Sequence, residues 1–178
     1  MKTLVYQVSV GKRSRLYEHC ISSVADYCKK WGFIHHVQTS PKMMIKPDPF
    51  FSGRSRDSYE KHGGYLPIYE KENAFDMMDG YDRLLIIDAD IYIRPDAPNI
   101  LEDLDCQCVF AAVCEREMSM YDWYKKKILH YSHMQYAPLH CNNLDFKPND
   151  LGFEFFNMGM ILINVRSEEH TSELQSPM

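Results

Sequence analysis

The sequence predicts an α/β fold built on a mainly parallel sheet, and three features carry that expectation. A strand, a helix and a second strand follow one another between Leu4 and Val37. Leu84-Leu85-Ile86-Ile87 is an uninterrupted apolar run, the pattern of a central parallel strand covered on both faces. Further apolar runs at Val109 to Val113 and Met160 to Val165 are expected to form two more buried strands.

Taken in order, Leu4 to Val8 is short, apolar and β-prone, and Gly11 and Ser14 follow it, the latter a suitable helix N-cap. Leu16, Cys20, Val24, Tyr27, Cys28 and Trp31 then recur at helical spacing until Gly32, which suits the left-handed stop of a helix. Phe33 to Val37 supplies the next strand. Parallel strands need a crossover of this kind, and its hand is almost always right. Pro41 to Gly64, rich in proline, glycine and polar residues and carrying Arg54 and Arg56, reads as an irregular excursion. Helical character resumes from Ile68 to Met78, with Ile68, Phe75 and Met78 expected on one face, and Asp79-Gly80 ends it before the central strand.

The chain of 178 residues is long enough for one domain with a real core. Its 20 basic and 25 acidic side chains give a formal charge of −5, with the basic residues scattered, so nucleic acid is not an expected partner. No apolar run has the length of a membrane span, and Met1 to Val10 lacks the parts of a secretory signal; the expectation is a cytoplasmic protein. Cys20, Cys28, Cys106, Cys108, Cys114 and Cys141 form no regular framework and are read as free thiols. His130, His133, His140 and Cys141 lack the paired spacing of a zinc site.

The chemistry gathers after the central strand, at Asp88-Ala89-Asp90. In an extended segment side chains alternate, so the two carboxylates are expected on one side, with small Ala89 on the other. Open α/β sheets bind ligands beyond the carboxyl ends of their strands. Two carboxylates there make a site for Mn²⁺ or Mg²⁺ that leaves coordination positions open to phosphate oxygens. The competing reading is a pair of turn residues that cap or bind water; Asp96, after Arg94-Pro95, is better explained as a turn residue than as a ligand.

The stretch Tyr81 to Asp96 resembles the metal-strand signature of GT-A glycosyltransferases, particularly glycosyltransferase family 8, and Phe155 to Asn164, with Asn157-Met158-Gly159, resembles that family's second signature, an Asn-x-Gly entering a buried strand. Ala111-Ala112-Val113 lies between them, where the family also has a strand. The resemblance runs from about Tyr65 to Val165 and is only general before that. It implies a nucleotide-diphospho-sugar transferase fold in which Asp90 is the principal metal ligand and Asp88 contacts metal and ribose. It further implies that Lys71 contacts the donor, that Asn157 and Gly159 line the donor-sugar pocket, and that Gln7 to Ser9 hold the base. A solvated helix face remains open for Lys71, and a structural turn for Asn157 and Gly159. The acidic residue that many relatives carry after the first strand is absent, where this chain has Ser9-Val10-Gly11. The implied reaction transfers a hexosyl group from a nucleotide-sugar donor, UDP-linked, to a glycan or other hydroxyl acceptor with retention; no catalytic residue is assigned.

Arg166 to Ser176 resembles, residue for residue, the in-frame translation of a sequencing-library adapter. Residues 1–165 are therefore expected to form a glycosyltransferase domain lacking its C-terminal part, and 166–178 a non-native tail, so that this chain by itself would not complete transfer. Three other functions compete. A haloacid-dehalogenase-type phosphatase is disfavoured by Ile91-Tyr92 after the second Asp and by the mid-chain position of the motif. A sugar-phosphate nucleotidyltransferase is poorly matched by Val10-Gly11-Lys12-Arg13. A non-catalytic nucleotide-sugar-binding protein stays open.

Overall fold

The computed structural model describes residues 1–11, 14–45, 60, 65–102, 108–115, 121–140, 153 and 155–165. Its elements are β1 (Thr3–Val8), α1 (Arg15–Trp31), β2 (Ile34–Gln38), a 3₁₀ segment (Pro67–Met77), β3 (Arg83–Ile87), β4 (Phe110–Cys114), α2 (Asp122–His140) and β5 (Phe156–Asn164). The five strands form one sheet in the order β2-β1-β3-β5-β4, with β1 parallel to both β2 and β3. By contact, the chain divides into two compact units, one of Met1–Ala111 with Gly159–Met178 and one of Ala112–Met158. Among the described residues no helix is long and apolar enough to cross a membrane.

The first unit follows the expected strand, helix, strand order closely. Ser14 caps α1 by accepting a hydrogen bond from the Tyr17 amide, and Gly32 ends the helix in the left-handed region at φ 71°. Cys20, Val24, Tyr27 and Cys28 of the expected stripe are buried, whereas Leu16 is exposed in the first turn. Register aligns Leu4 with Leu84 and Ile163, Val5 with Leu85 and Leu162, and Tyr6 with Ile86 and Ile161. Alternation then sorts these rows onto two faces. Leu4, Tyr6, Leu84, Ile86, Ile161 and Ile163 pack with Ala74, while Val5, Leu85, Ile87 and Leu162 pack with Val24 and Cys28 of α1. Covering on both faces is why β3 reads as a continuous apolar run. Each fully buried aliphatic side chain contributes about 1.5–3 kcal/mol.

Several expectations need correction. β5 runs antiparallel to β3 and starts at Phe156, so Asn157 and Gly159 lie within the strand instead of before it. Among the described residues β4 is the outermost strand, with Phe110 and Val113 each nearly half exposed, not the buried strand expected at Val109 to Val113. The expected α-helical face of Ile68, Phe75 and Met78 is replaced by a three-residue period. Ile68, Lys71, Ala74 and Met77 fall along one edge, Glu70 and Asn73 along the next, and exposed Phe75 along the third. Most of the Pro41 to Gly64 excursion, the 166–178 tail and Cys141 lie outside the described residues.

Candidate functional site

From β1 the chain passes through α1 to β2 on one side of the sheet, and β3 then pairs with β1 on the other. The point between two parallel strands whose connections diverge in this way is where an α/β sheet leaves a crevice at its carboxyl edge. A cleft of about 560 Å³ opens there. Its walls are Val8 to Gly11 after β1, Pro67, Ile68 and Lys71 of the 3₁₀ segment, and Asp88 to Asp90 after β3. This volume lies in the ordinary range for a small-molecule site.

Asp88 is fixed through its main chain. Its amide donates to the Gly159 carbonyl at 2.7 Å, and its carbonyl accepts from the Ile91 amide and from Gln7 Nε2, both at 3.2 Å. The bond to Ile91 closes a turn, so Asp88-Ala89-Asp90 is not the extended segment assumed from the sequence. Both carboxylates nonetheless line the cleft, brought there by the turn, while Ala89 is buried. The Asp88 carboxylate pairs with the Lys71 ammonium, and the Lys71 side chain is only 13 % exposed. Asp90 is exposed and has no hydrogen-bond or ionic partner among the described residues.

Gln7 is fully buried and does not line the cleft. Its Oε1 lies 2.8 Å from His35 Nε2. Burial, reinforced by neighbouring His36, pushes the His35 pKa down, and because an amide oxygen can only accept, it is Nε2 that donates to Gln7 Oε1. This leaves the Gln7 amide N–H for the Asp88 carbonyl. Ser9, also buried, borders the cleft, and its amide donates to the Gln38 carbonyl at 2.9 Å.

The 3₁₀ wall is held by Glu70, which sequence reasoning missed. Its carboxylate, 1 % exposed, accepts from the successive amides of Lys42, Met43 and Met44, and from Gln38 Nε2 and Asn73 Nδ2. Met44 adopts φ 47°, which lets neighbouring amides converge on one anion in a backbone nest. Burial alone would raise the Glu70 pKa, but these hydrogen bonds outweigh it and hold the carboxyl below its usual value. Gln38 also accepts from the Tyr6 hydroxyl, whose pKa burial and the nearby Glu70 charge push up to about 12. The sequence signal was faint: an acid, an amide and a small residue at Glu70, Asn73 and Ala74 read equally well as a solvated helix face.

Asn157 belongs to the second unit, where its Nδ2 donates to Glu115 Oε1 at 2.9 Å. Glu115 is buried and its other oxygen accepts from the Tyr124 hydroxyl at 3.3 Å. Glu115 follows an apolar strand as Asp88 does, a parallel that could have marked it in the sequence. Gly159 is placed in the first unit, where its carbonyl receives the Asp88 amide.

The donor chemistry of the cleft suits a hard cation beside an anion. Asp88 and Asp90 offer only oxygen, and no group of three or more His, Cys, Asp or Glu comes together among the described residues. A cation there would complete its coordination from water or ligand oxygens, and Lys71 adds a positive charge on the same wall.

No protein-family model and no curated protein matches this chain. Solved structures do. A glycosyltransferase involved in the glycosylation of the major capsid of PBCV-1 matches with a TM-score of 0.51 at 11 % identity, over 98 % of this chain and 65 % of that one. The galactosyltransferase LgtC in complex with donor and acceptor sugar analogues gives a TM-score of 0.48 at 14 % identity, over 94 % of this chain and 59 % of that one. An active-site mutant of LgtC gives 0.48 at 13 %, with the same coverage of 94 % and 59 %. The α/β architecture is thus the GT-A-like glycosyltransferase fold expected from the sequence, and the chain spans 65 % of the length of the capsid glycosyltransferase.

Proposed function

We propose that this chain is the nucleotide-sugar-binding part of a metal-dependent glycosyltransferase. The observation that carries the reading is the convergence of Asp88, Asp90 and Lys71 on one cleft at the point where the sheet's connections diverge. The likeness of the fold to a glycosyltransferase supports it.

In this reading Asp90 is the principal ligand of Mn²⁺ or Mg²⁺, and Asp88 is shared between that cation and the donor ribose. Such a cation, when bound, supplies Lewis-acid stabilisation of the departing diphosphate. Lys71 adds a second positive charge for the phosphates, and Ser9 lies on the wall assigned to the base. Gln7 acts from behind the wall: through the Asp88 carbonyl it holds the turn that presents both acids. Asn157 and Gly159 are assigned to the donor sugar on the sequence resemblance. The reaction class is hexosyl transfer from a UDP-sugar to a glycan or other hydroxyl acceptor, with retention as the resemblance implies. Its acceleration would come from positioning and preorganised charge.

Calorimetry of UDP binding with and without Mn²⁺ tests the assignment. Loss of a group that merely supports a metal ligand typically weakens metal binding about 10–100-fold, so loss of the ligand itself should cost at least that much. Asp90→Ala should abolish Mn²⁺-dependent UDP binding at micromolar to millimolar concentrations, and Asp88→Ala should weaken it less. Unchanged Mn²⁺-dependent affinity in the double variant would show that the acids only shape a turn.

A further inference from the structure

The Lys71–Asp88 ion pair sets a condition on how the cleft loads, an inference that rests on the metal and nucleotide reading above. Lys71 stands on the edge of the 3₁₀ segment that also carries Ile68, and Glu70, the preceding residue, is clamped to the amides of Lys42, Met43 and Met44. The backbone bearing the ammonium is therefore fixed, and only its flexible stem can move the charge. Asp88 is equally fixed by its bonds to Gly159, Ile91 and Gln7. Two anchored elements thus hold a positive charge against one of the carboxylates that the divalent cation would use.

We propose that Lys71 is a built-in counter-cation of the Asp88 carboxylate, so that the divalent cation and a nucleoside diphosphate load together and not independently. A divalent cation arriving alone at Asp88 and Asp90 meets the Lys71 ammonium at close range, and like charges in a partly desolvated site repel strongly. It must displace that ammonium from the Asp88 carboxylate. A diphosphate changes the balance because its oxygens can coordinate the cation and also accept a hydrogen bond from Lys71. By linkage each ligand then raises the affinity of the other by the same factor.

The pair also separates Lys71 from a simple phosphate contact. A lysine that only bound phosphate would, on neutralisation, weaken UDP binding and leave Mn²⁺ binding untouched. A lysine that stands in for the cation should, on neutralisation, strengthen Mn²⁺ binding in the absence of nucleotide.

The experiment is a titration of Mn²⁺, followed by the electron paramagnetic resonance of the free ion, into the wild type, Lys71→Met, Lys71→Gln and Lys71→Arg, each with and without UDP. Far-UV circular dichroism and melting curves establish that each variant is folded, and the two neutral variants guard against loss of one. The expected result is that Met and Gln bind Mn²⁺ alone about tenfold more tightly than the wild type, within the usual range of coupling factors. The gain in Mn²⁺ affinity produced by UDP should shrink by a similar factor in both, and Arg should behave as the wild type. If the neutral variants bind Mn²⁺ alone no more tightly than the wild type while UDP and Mn²⁺ still bind together through Asp90, the proposal is overturned and the functional reading stands. If no variant, wild type included, binds Mn²⁺ even with UDP, both are overturned.

Discussion

Replacing Glu70 by Gln changes one oxygen to an NH₂ group with almost no change of shape, and the structure lets the cost be worked out atom by atom. Oε1 accepts from the Met43 and Met44 amides at 3.0 and 3.1 Å. Oε2 accepts from Gln38 Nε2, Lys42 N and Asn73 Nδ2 at 2.6, 2.8 and 2.7 Å. The introduced carboxamide can place its nitrogen at either oxygen position; the less damaging choice faces the Met43 and Met44 amides and loses both bonds. Hydrogen bonds to a charged group contribute about 1.5–3 kcal/mol each, and backbone amides at a loop recover part of this from water, so a loss of about 3 kcal/mol is expected. For a chain of this size that corresponds to a fall in melting temperature of about 6–12 °C. The assay is urea unfolding of both proteins at several pH values. Because the folded pKa of Glu70 lies below its ordinary value of 4.5, its carboxylate stabilises the fold fully above that value, and the contribution is lost as pH falls through the folded pKa. The gap between wild type and Glu70→Gln should therefore be largest near neutral pH and close in acid. A gap under about 1 kcal/mol at pH 7, or one that does not change with pH, would refute the account of Glu70 as a buried charge held by a nest.

Burial pushes the Cys28 thiol up to about 12, so at pH 8 iodoacetamide should label Cys108 and Cys114 well before Cys28, with all of them reacting after denaturation; equal rates in the native protein would contradict the packing of α1. Gly32→Ala meets no steric obstacle but must hold φ 71°, which costs an L-residue about 1–2 kcal/mol, whereas Gly32→Asn should cost less; equal midpoints for both variants in urea would argue against the left-handed cap.

Much of the first unit was legible because its signals are local. The α1 cap at Ser14, the stop at Gly32 and the buried spacing of Cys20, Val24 and Cys28 each depend on residues within a turn or two of one another. Asp88 and Asp90 could be picked out because an apolar strand runs directly into them, and both line the cleft, although a turn and not strand alternation brings them there. Ile68 does not share a face with Phe75 and Met78, because that expectation used an α-helical period. Three residues per turn put it in line with Lys71 and Ala74 instead, and it lines the cleft.

The sequence by itself determined the class of fold, the first strand-helix-strand unit and the position of the acids, since hydrophobic period, caps and strand ends are written in neighbouring residues. Only the tertiary structure decided that β5 runs antiparallel to β3, because a doubly covered strand is apolar whichever way it points. It alone placed β4 at the margin of the sheet, since an apolar run does not state how many neighbours it will have. It alone joined Lys71 to Asp88, Gln7 to the Asp88 carbonyl, and Glu70 to the amides of Lys42 to Met44. Each of those contacts links residues far apart in the chain, and a polar side chain shows its partner only once folding has removed the water that would otherwise satisfy it.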